Sequence, residues 1–93
     1  MEIKRLVLDV LKPREPQIVD FTKEIAGMEG VKGANTALIE VDEKVRNLKV
    51  TIEGSIDEEK VREKIEEIGA SVHSIDEVAA GEKLVEESKT LQD

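Results

Sequence analysis

Two helical stripes, each set between strand-like segments, constrain this chain more than any other feature of its sequence. The apolar residues of the first stripe are spaced by three, four and three positions and are Ile18, Phe21, Ile25 and Met28. Those of the second stripe are Val61, Ile65 and Ile68. Such spacing is typical of a helix with one buried face, and it predicts helices over residues 16–28 and 55–68. Ser55 and Glu58 have the spacing of a capping box, which predicts the start of the second helix.

Four segments around these helices have the length and the branched residues of β-strands, and they cover residues 3–11, 31–42, 45–53 and 71–78. The two middle segments alternate apolar and polar residues and are separated by a short turn. We therefore expect a hairpin with one dry face. The apolar residues assigned to single faces of its two strands are Ala37, Ile39 and Val41, and Leu48, Val50 and Ile52.

The β-α-β-β-α-β order predicts an α+β fold of the ferredoxin-like kind, with a four-stranded antiparallel sheet and two helices on one face. The domain is expected to span residues 1–81. Residues 82–93 are polar, and their only large apolar residues are Leu84, Val85 and Leu91. This segment is expected to be either a tail without regular structure or an arm that contacts a neighbouring subunit.

The composition argues against several functional classes. The chain has 22 acidic and 14 basic residues among 93, a net charge of −8, no cysteine and one aromatic residue. An acidic chain without stacking aromatics is a poor partner for nucleic acids. It has no membrane-length apolar run and no signal-peptide core, so we expect a cytoplasmic protein without a membrane partner. One histidine, no nucleophile elbow and no glycine-rich phosphate loop predict a protein that is not an enzyme.

The most suggestive chemical group combines the acids Asp9, Asp76 and Glu77 with the single histidine, His73. Of these, Asp9 and Asp76 are the expected oxygen ligands of a metal ion, and His73 is a neighbour or a third ligand. In this topology the first and last strands are antiparallel neighbours, so the end of the first lies near the start of the last. Carboxylate oxygens suit a hard divalent cation, Ca²⁺ or Mg²⁺, whereas a histidine ligand would favour a transition metal. The alternative is a solvated sheet edge in an acid-rich protein.

The segment between the first strand and the first helix offers a second group. Lys12 and Arg14 stand beside a helix start, where a carboxylate or a phosphate of a small ligand or cofactor could be held. Small-molecule regulatory domains of the ACT type have a similar topology and use this region, but this chain lacks the glycine that they place after the first strand. The alternative is a rigid, solvated loop.

Three segments carry a specific resemblance: 7–16 (VLDVLKPREP), 39–42 (IEVD) and 71–81 (SVHSIDEVAAG), together with the closing Gln92-Asp93. With these motifs the chain resembles, over essentially its whole length, the archaeal family called domain of unknown function 211. The resemblance implies a ferredoxin-like fold, ring-shaped homo-oligomers and an archaeal cytoplasm, and it implies no activity.

Three functional hypotheses remain. The first is a non-enzymatic homo-oligomeric module that binds a divalent cation or a small ligand at or near subunit interfaces. The second is a purely structural ring whose acids keep it soluble. The third is an ACT-like regulatory domain. In each, the partner that we expect is a second copy of the chain.

Overall fold

The computed structural model describes residues 1–88, and residues 89–93, which include Leu91 and the Gln92-Asp93 pair, lie outside the described part of the chain. Six elements follow one another in the order β1, α1, β2, β3, α2, β4. Their bounds are β1 Ile3–Pro13, α1 Ile18–Ala26, β2 Val31–Val41, β3 Val45–Ile56, α2 Glu58–Ile68 and β4 Ser71–Ala80.

The four strands form one antiparallel sheet in the order β2-β3-β1-β4. Both helices pack on the same side of this sheet, which we call the helix-covered face; the other side is the open face. The element order, the antiparallel sheet and the two helices are those of a ferredoxin-like α+β fold, as the sequence predicts. Within residues 1–88, neither helix has the length and apolar character needed to cross a membrane.

The hydrophobic core lies between the helices and the helix-covered face. Its strand residues are Leu6, Leu8, Val10, Leu48, Val50, Ile52 and Ile56, and its main helix residues are Phe21, Ile25, Val61 and Ile65. All of these except Phe21 are aliphatic, so the core of this small domain lacks the larger aromatic side chains that fill many protein cores. Such a core gives limited stability to a chain of this length.

The predicted dry face of the hairpin is wrong for β2. Leu48, Val50 and Ile52 are buried as expected, but their partners across the ladder are Leu38, Thr36 and Ala34. The hydroxyls of Thr22 on α1 and Thr36 on β2 are hydrogen-bonded at 2.7 Å, so a polar residue of β2 lies on the helix-covered face. A pattern of apolar residues alone does not identify that position. Ala37 therefore faces Lys49 across the ladder, and Ile39 and Val41 are exposed.

The predicted capping box is also wrong, because β3 continues to Ile56. The N-cap of α2 is Asp57, whose carboxylate accepts the Lys60 amide at 3.2 Å. Gly54 has a φ of +146°, and a Cβ there would lie 2.2 Å from the Gly30 carbonyl oxygen. This close approach lets the Ser55 amide donate to Gly30 at 2.8 Å, so Ser55 stays in the sheet.

The segment after β4 turns back over the open face. The Gly81 amide donates to the Glu2 carbonyl at 2.8 Å, and Gly81 has a φ of +114°. Residues 82–88 form no helix or strand. Glu86 reaches the guanidinium of Arg5, whose backbone pairs with Ala79 in the sheet.

Candidate functional site

The open face of β1 carries polar side chains between apolar ones. Arg5, Val7 and Asp9 alternate with Leu6 and Leu8 of the core, so the three lie on the open face. Because β1 is flanked by β3 and β4, these residues are central in the sheet rather than at its solvated edge. An acid at such a position requires hydrogen-bond partners.

Asp9 has only some of the hydrogen-bond partners that such an acid requires. Its Oδ1 atom is buried and accepts no hydrogen bond within residues 1–88. In the ladders Asp9 is opposite Lys49 of β3 and Ser74 of β4. Although Lys49 is the adjacent cation, the two do not form an ion pair within 4.0 Å in the described part of the chain.

Asp9 and Asp76 line one depression of about 230 Å³, which we call the open-face depression. Its other lining residues are Ile39, Asn47, Leu48 and Lys49. The Ser74 hydroxyl donates to Asp76 Oδ1 at 2.7 Å, which holds that carboxylate in place. The depression thus contains two carboxylates and the amide of Asn47, all of which offer oxygen atoms to a hard cation.

His73 does not line this depression. A register shift in the β1–β4 ladder, opposite Asp9 and Val10, leaves His73 without a paired position there, and its side chain is exposed. Across residues 1–88, no three His, Asp or Glu side chains come close enough together to hold a metal ion. A role for His73 as a ligand stays a prediction.

A second depression, of about 260 Å³, lies at the end of the helix-covered face beside the start of α1. We call it the cationic depression, and its lining residues are Lys12, Arg14, Glu15, Gln17, Ile18, Leu38 and Arg46. It includes both residues that the sequence singles out for anion binding, Lys12 and Arg14. Sequence reasoning missed Arg46, which comes from β3 and reaches this place only through the strand register.

Lys12 is 1% exposed, although it is charged. Its Nζ donates to the carbonyl oxygens of Pro13 at 2.7 Å, Arg14 at 3.4 Å and Pro16. Burial lowers the pKa of Lys12, and the positive charge of Arg46 lowers it further. The ammonium group therefore fixes the chain between β1 and α1, and its donors are directed at backbone rather than at solvent.

Arg5 organises a third polar group on the open face. Its guanidinium donates to Glu53 at 2.7 Å, to Glu77 at 3.3 Å and to both carboxylate oxygens of Glu86 at 2.7 and 3.1 Å. The hydrogen bonds from Arg5 lower the pKa of Glu86. These contacts attach residues 82–88 to their own chain. No sequence motif marks them, because Glu53, Glu77 and Glu86 meet only in the folded sheet.

Comparison with known proteins agrees with the resemblance in the sequence. The family model DUF211, described as "Uncharacterized ArCR", matches residues 4–93. The chain is 46% identical over 92 residues to the uncharacterized protein MJ0319 of the archaeon Methanocaldococcus jannaschii. The aligned region covers 98% of this chain and 95% of that protein. On this evidence the chain belongs to the DUF211 family.

Proposed function

We propose that this protein is a non-enzymatic homo-oligomeric module that holds a divalent cation, Ca²⁺ or Mg²⁺, in the open-face depression where subunits meet. The observation that carries the proposal is the buried Oδ1 of Asp9, which accepts no hydrogen bond within residues 1–88. An unsatisfied buried acceptor costs about 1–3 kcal/mol. A bound cation would supply the missing interaction.

The donor set favours a hard cation. Asp9, Asp76 and Asn47 present oxygen atoms, and the chain has no cysteine to attract a softer metal. Ca²⁺ takes six to eight oxygen ligands, more than these three side chains provide. The remaining ligands would be water and oxygen atoms of a second copy, which is why the proposal joins the ion to the oligomer.

The edges of the sheet support association between copies. β2 and β4 are its outer strands, with 11 and 10 residues, and their outer backbone groups have no strand beside them within residues 1–88. Exposed apolar residues lie along them: Ile39 and Val41 on β2, and Ile75 and Val78 on β4. Long edge strands with exposed apolar side chains are surfaces on which strands of other chains can pair. Ile39 also lines the open-face depression, which brings one edge next to the ion site.

Calorimetric titration of chelator-treated protein with CaCl₂ and MgCl₂, together with sedimentation velocity, tests this proposal. We expect an oligomer that binds one of these ions and in which Asp9→Asn and Asp76→Asn each weaken binding at least tenfold. Glu63→Gln, which removes an exposed acid from α2, is the matched control and should bind like the wild type. Lys49→Met should tighten binding, because it removes a positive charge from the depression.

The possible results separate the hypotheses. An oligomer that binds neither ion would support the purely structural ring instead. A monomer at micromolar concentration, or equal ion binding by wild type and Asp9→Asn, would overturn the proposal.

A further inference from the structure

The cationic depression is positively charged, which is unusual for this protein. It gathers three cations and one acid in a chain whose net charge is −8. Lys12 and Arg46 are directly opposite in the β1–β3 ladder, and like charges at such positions repel each other. Among the residues of the described chain that line the depression, Glu15 is the one acid that offsets them. Folding therefore concentrates positive charge at a place where a bound anion would relieve repulsion.

The cations differ in what they can offer to a ligand. The Lys12 ammonium group donates to three backbone carbonyls, so it contributes positive charge to the depression but no hydrogen bond to a ligand. Arg46 donates through Nη1 to the Asp42 carbonyl at 3.1 Å, which is the one hydrogen bond found for its guanidinium within residues 1–88. Arg14 is exposed. Since a guanidinium carries five N–H donors, Arg14 and Arg46 keep donors for a carboxylate or phosphate group.

The depression also has an apolar wall. Ile18, half-buried at the start of α1, and Leu38, 49% exposed on β2, both line it. Ligand pockets for drug-sized molecules have volumes of about 300–1,000 Å³. A volume of about 260 Å³ suits a smaller molecule with a single anionic group.

We propose that the cationic depression binds a small organic carboxylate, with its carboxylate on Arg14 and Arg46 and its apolar chain against Ile18 and Leu38. The apolar wall favours a carboxylate that carries a short hydrocarbon chain over a bare anion such as inorganic phosphate. Within the described part of the chain, Gln17, the N-cap of α1, makes no side-chain capping bond, so the first amides of the helix are an additional source of donors. This proposal is independent of the cation site, which lies on the open face.

A titration of ¹⁵N-labelled full-length protein followed by NMR tests the proposal, with sodium 3-methylbutanoate as the probe and ionic strength held constant with NaCl. We expect saturable shifts of the Ile18 and Val19 amides and of the Nε–H signals of Arg14 and Arg46. Acetate should bind about tenfold more weakly, because it lacks the apolar chain. The neutral alcohol 3-methylbutanol should cause no saturable shift.

Variants assign the two parts of the ligand. Arg14→Gln and Arg46→Gln should each weaken 3-methylbutanoate at least fivefold, whereas Lys23→Gln, which removes an exposed charge of α1 outside the depression, should leave affinity unchanged. Leu38→Ala should reduce the preference for 3-methylbutanoate over acetate. Tighter binding of inorganic phosphate, the absence of saturable shifts, or equal affinity in Arg14→Gln would overturn the proposal.

Discussion

Lys12 and Asp9 are three residues apart on β1, and they differ in whether their buried polar atoms have hydrogen-bond partners. The comparison distinguishes a side chain that stabilises the fold from one that can bind a ligand. Lys12 belongs to the helix-covered face, is 1% exposed and donates to three backbone carbonyls. Asp9 belongs to the open face and has a buried oxygen that accepts no hydrogen bond within residues 1–88. A buried polar group with hydrogen-bond partners fixes the chain around it, whereas one without them is a place where a ligand can bind.

The contrast predicts opposite effects on stability, and the larger effect belongs to Lys12. Lys12→Met keeps most of the buried volume but leaves three carbonyls without their donor, so the free energy of unfolding should fall by about 1–3 kcal/mol. Urea denaturation in the presence of chelator, at matched protein concentration, measures this change. Lys60→Met, an exposed lysine of α2, is the control and should change stability by less than about 0.5 kcal/mol. Equal stability of Lys12→Met and wild type would show that the three hydrogen bonds contribute nothing.

Asp9→Val should act in the other direction and by a smaller amount. The substitution removes the unsatisfied oxygen and places a β-branched residue in a central strand, so the metal-free protein should gain about 1 kcal/mol. The same denaturation experiment measures it. A loss of stability would mean that Asp9 is satisfied in solution, and the contrast with Lys12 would then disappear.

Arg5 is intermediate: its guanidinium donates to three acids, but two of them, Glu53 and Glu86, are exposed. The hydrogen bonds from Arg5 lower the pKa of Glu86 below its ordinary value of 4.5. The contact between residues 82–88 and the open face should therefore be complete above pH 4.5 and be lost as the pH falls through the lowered pKa of Glu86. NMR signals of the Glu86 amide and of the Arg5 Nη–H groups, which donate to Glu86, should report this release together. Glu86→Gln should show the released signals already at pH 7, and unchanged signals in that variant would contradict the assignment.

The sequence predicts the core and the order of elements well, because both depend on local periodicity. Phe21, Ile25, Val61 and Ile65 are buried where the helical stripes place them. The faces of β2 were not predictable in this way, since Thr36 is polar and its burial depends on Thr22 of another element. The N-cap of α2 was missed because the contact between Gly54 and Gly30 extends β3 beyond its apparent end.

The candidate sites likewise combine features that the order of elements predicts with features that depend on strand register. Antiparallel neighbours β1 and β4 bring Asp9 and Asp76 to one depression, which topology alone was enough to suggest. His73 lies outside that lining, at a register shift of the β1–β4 ladder, and such shifts leave no mark in the sequence. Arg46 meets Lys12 through the β1–β3 register, which likewise emerges only in three dimensions.

We propose that a cation bound between subunits completes the Asp9 oxygen that accepts no hydrogen bond within residues 1–88. A native mass spectrum of the protein purified with Ca²⁺ or Mg²⁺ and without chelator tests it most directly. We expect an oligomer that carries one ion per subunit, and an Asp9→Asn oligomer of lower ion content. A monomer, an ion-free oligomer, or the same ion content in Asp9→Asn would contradict it.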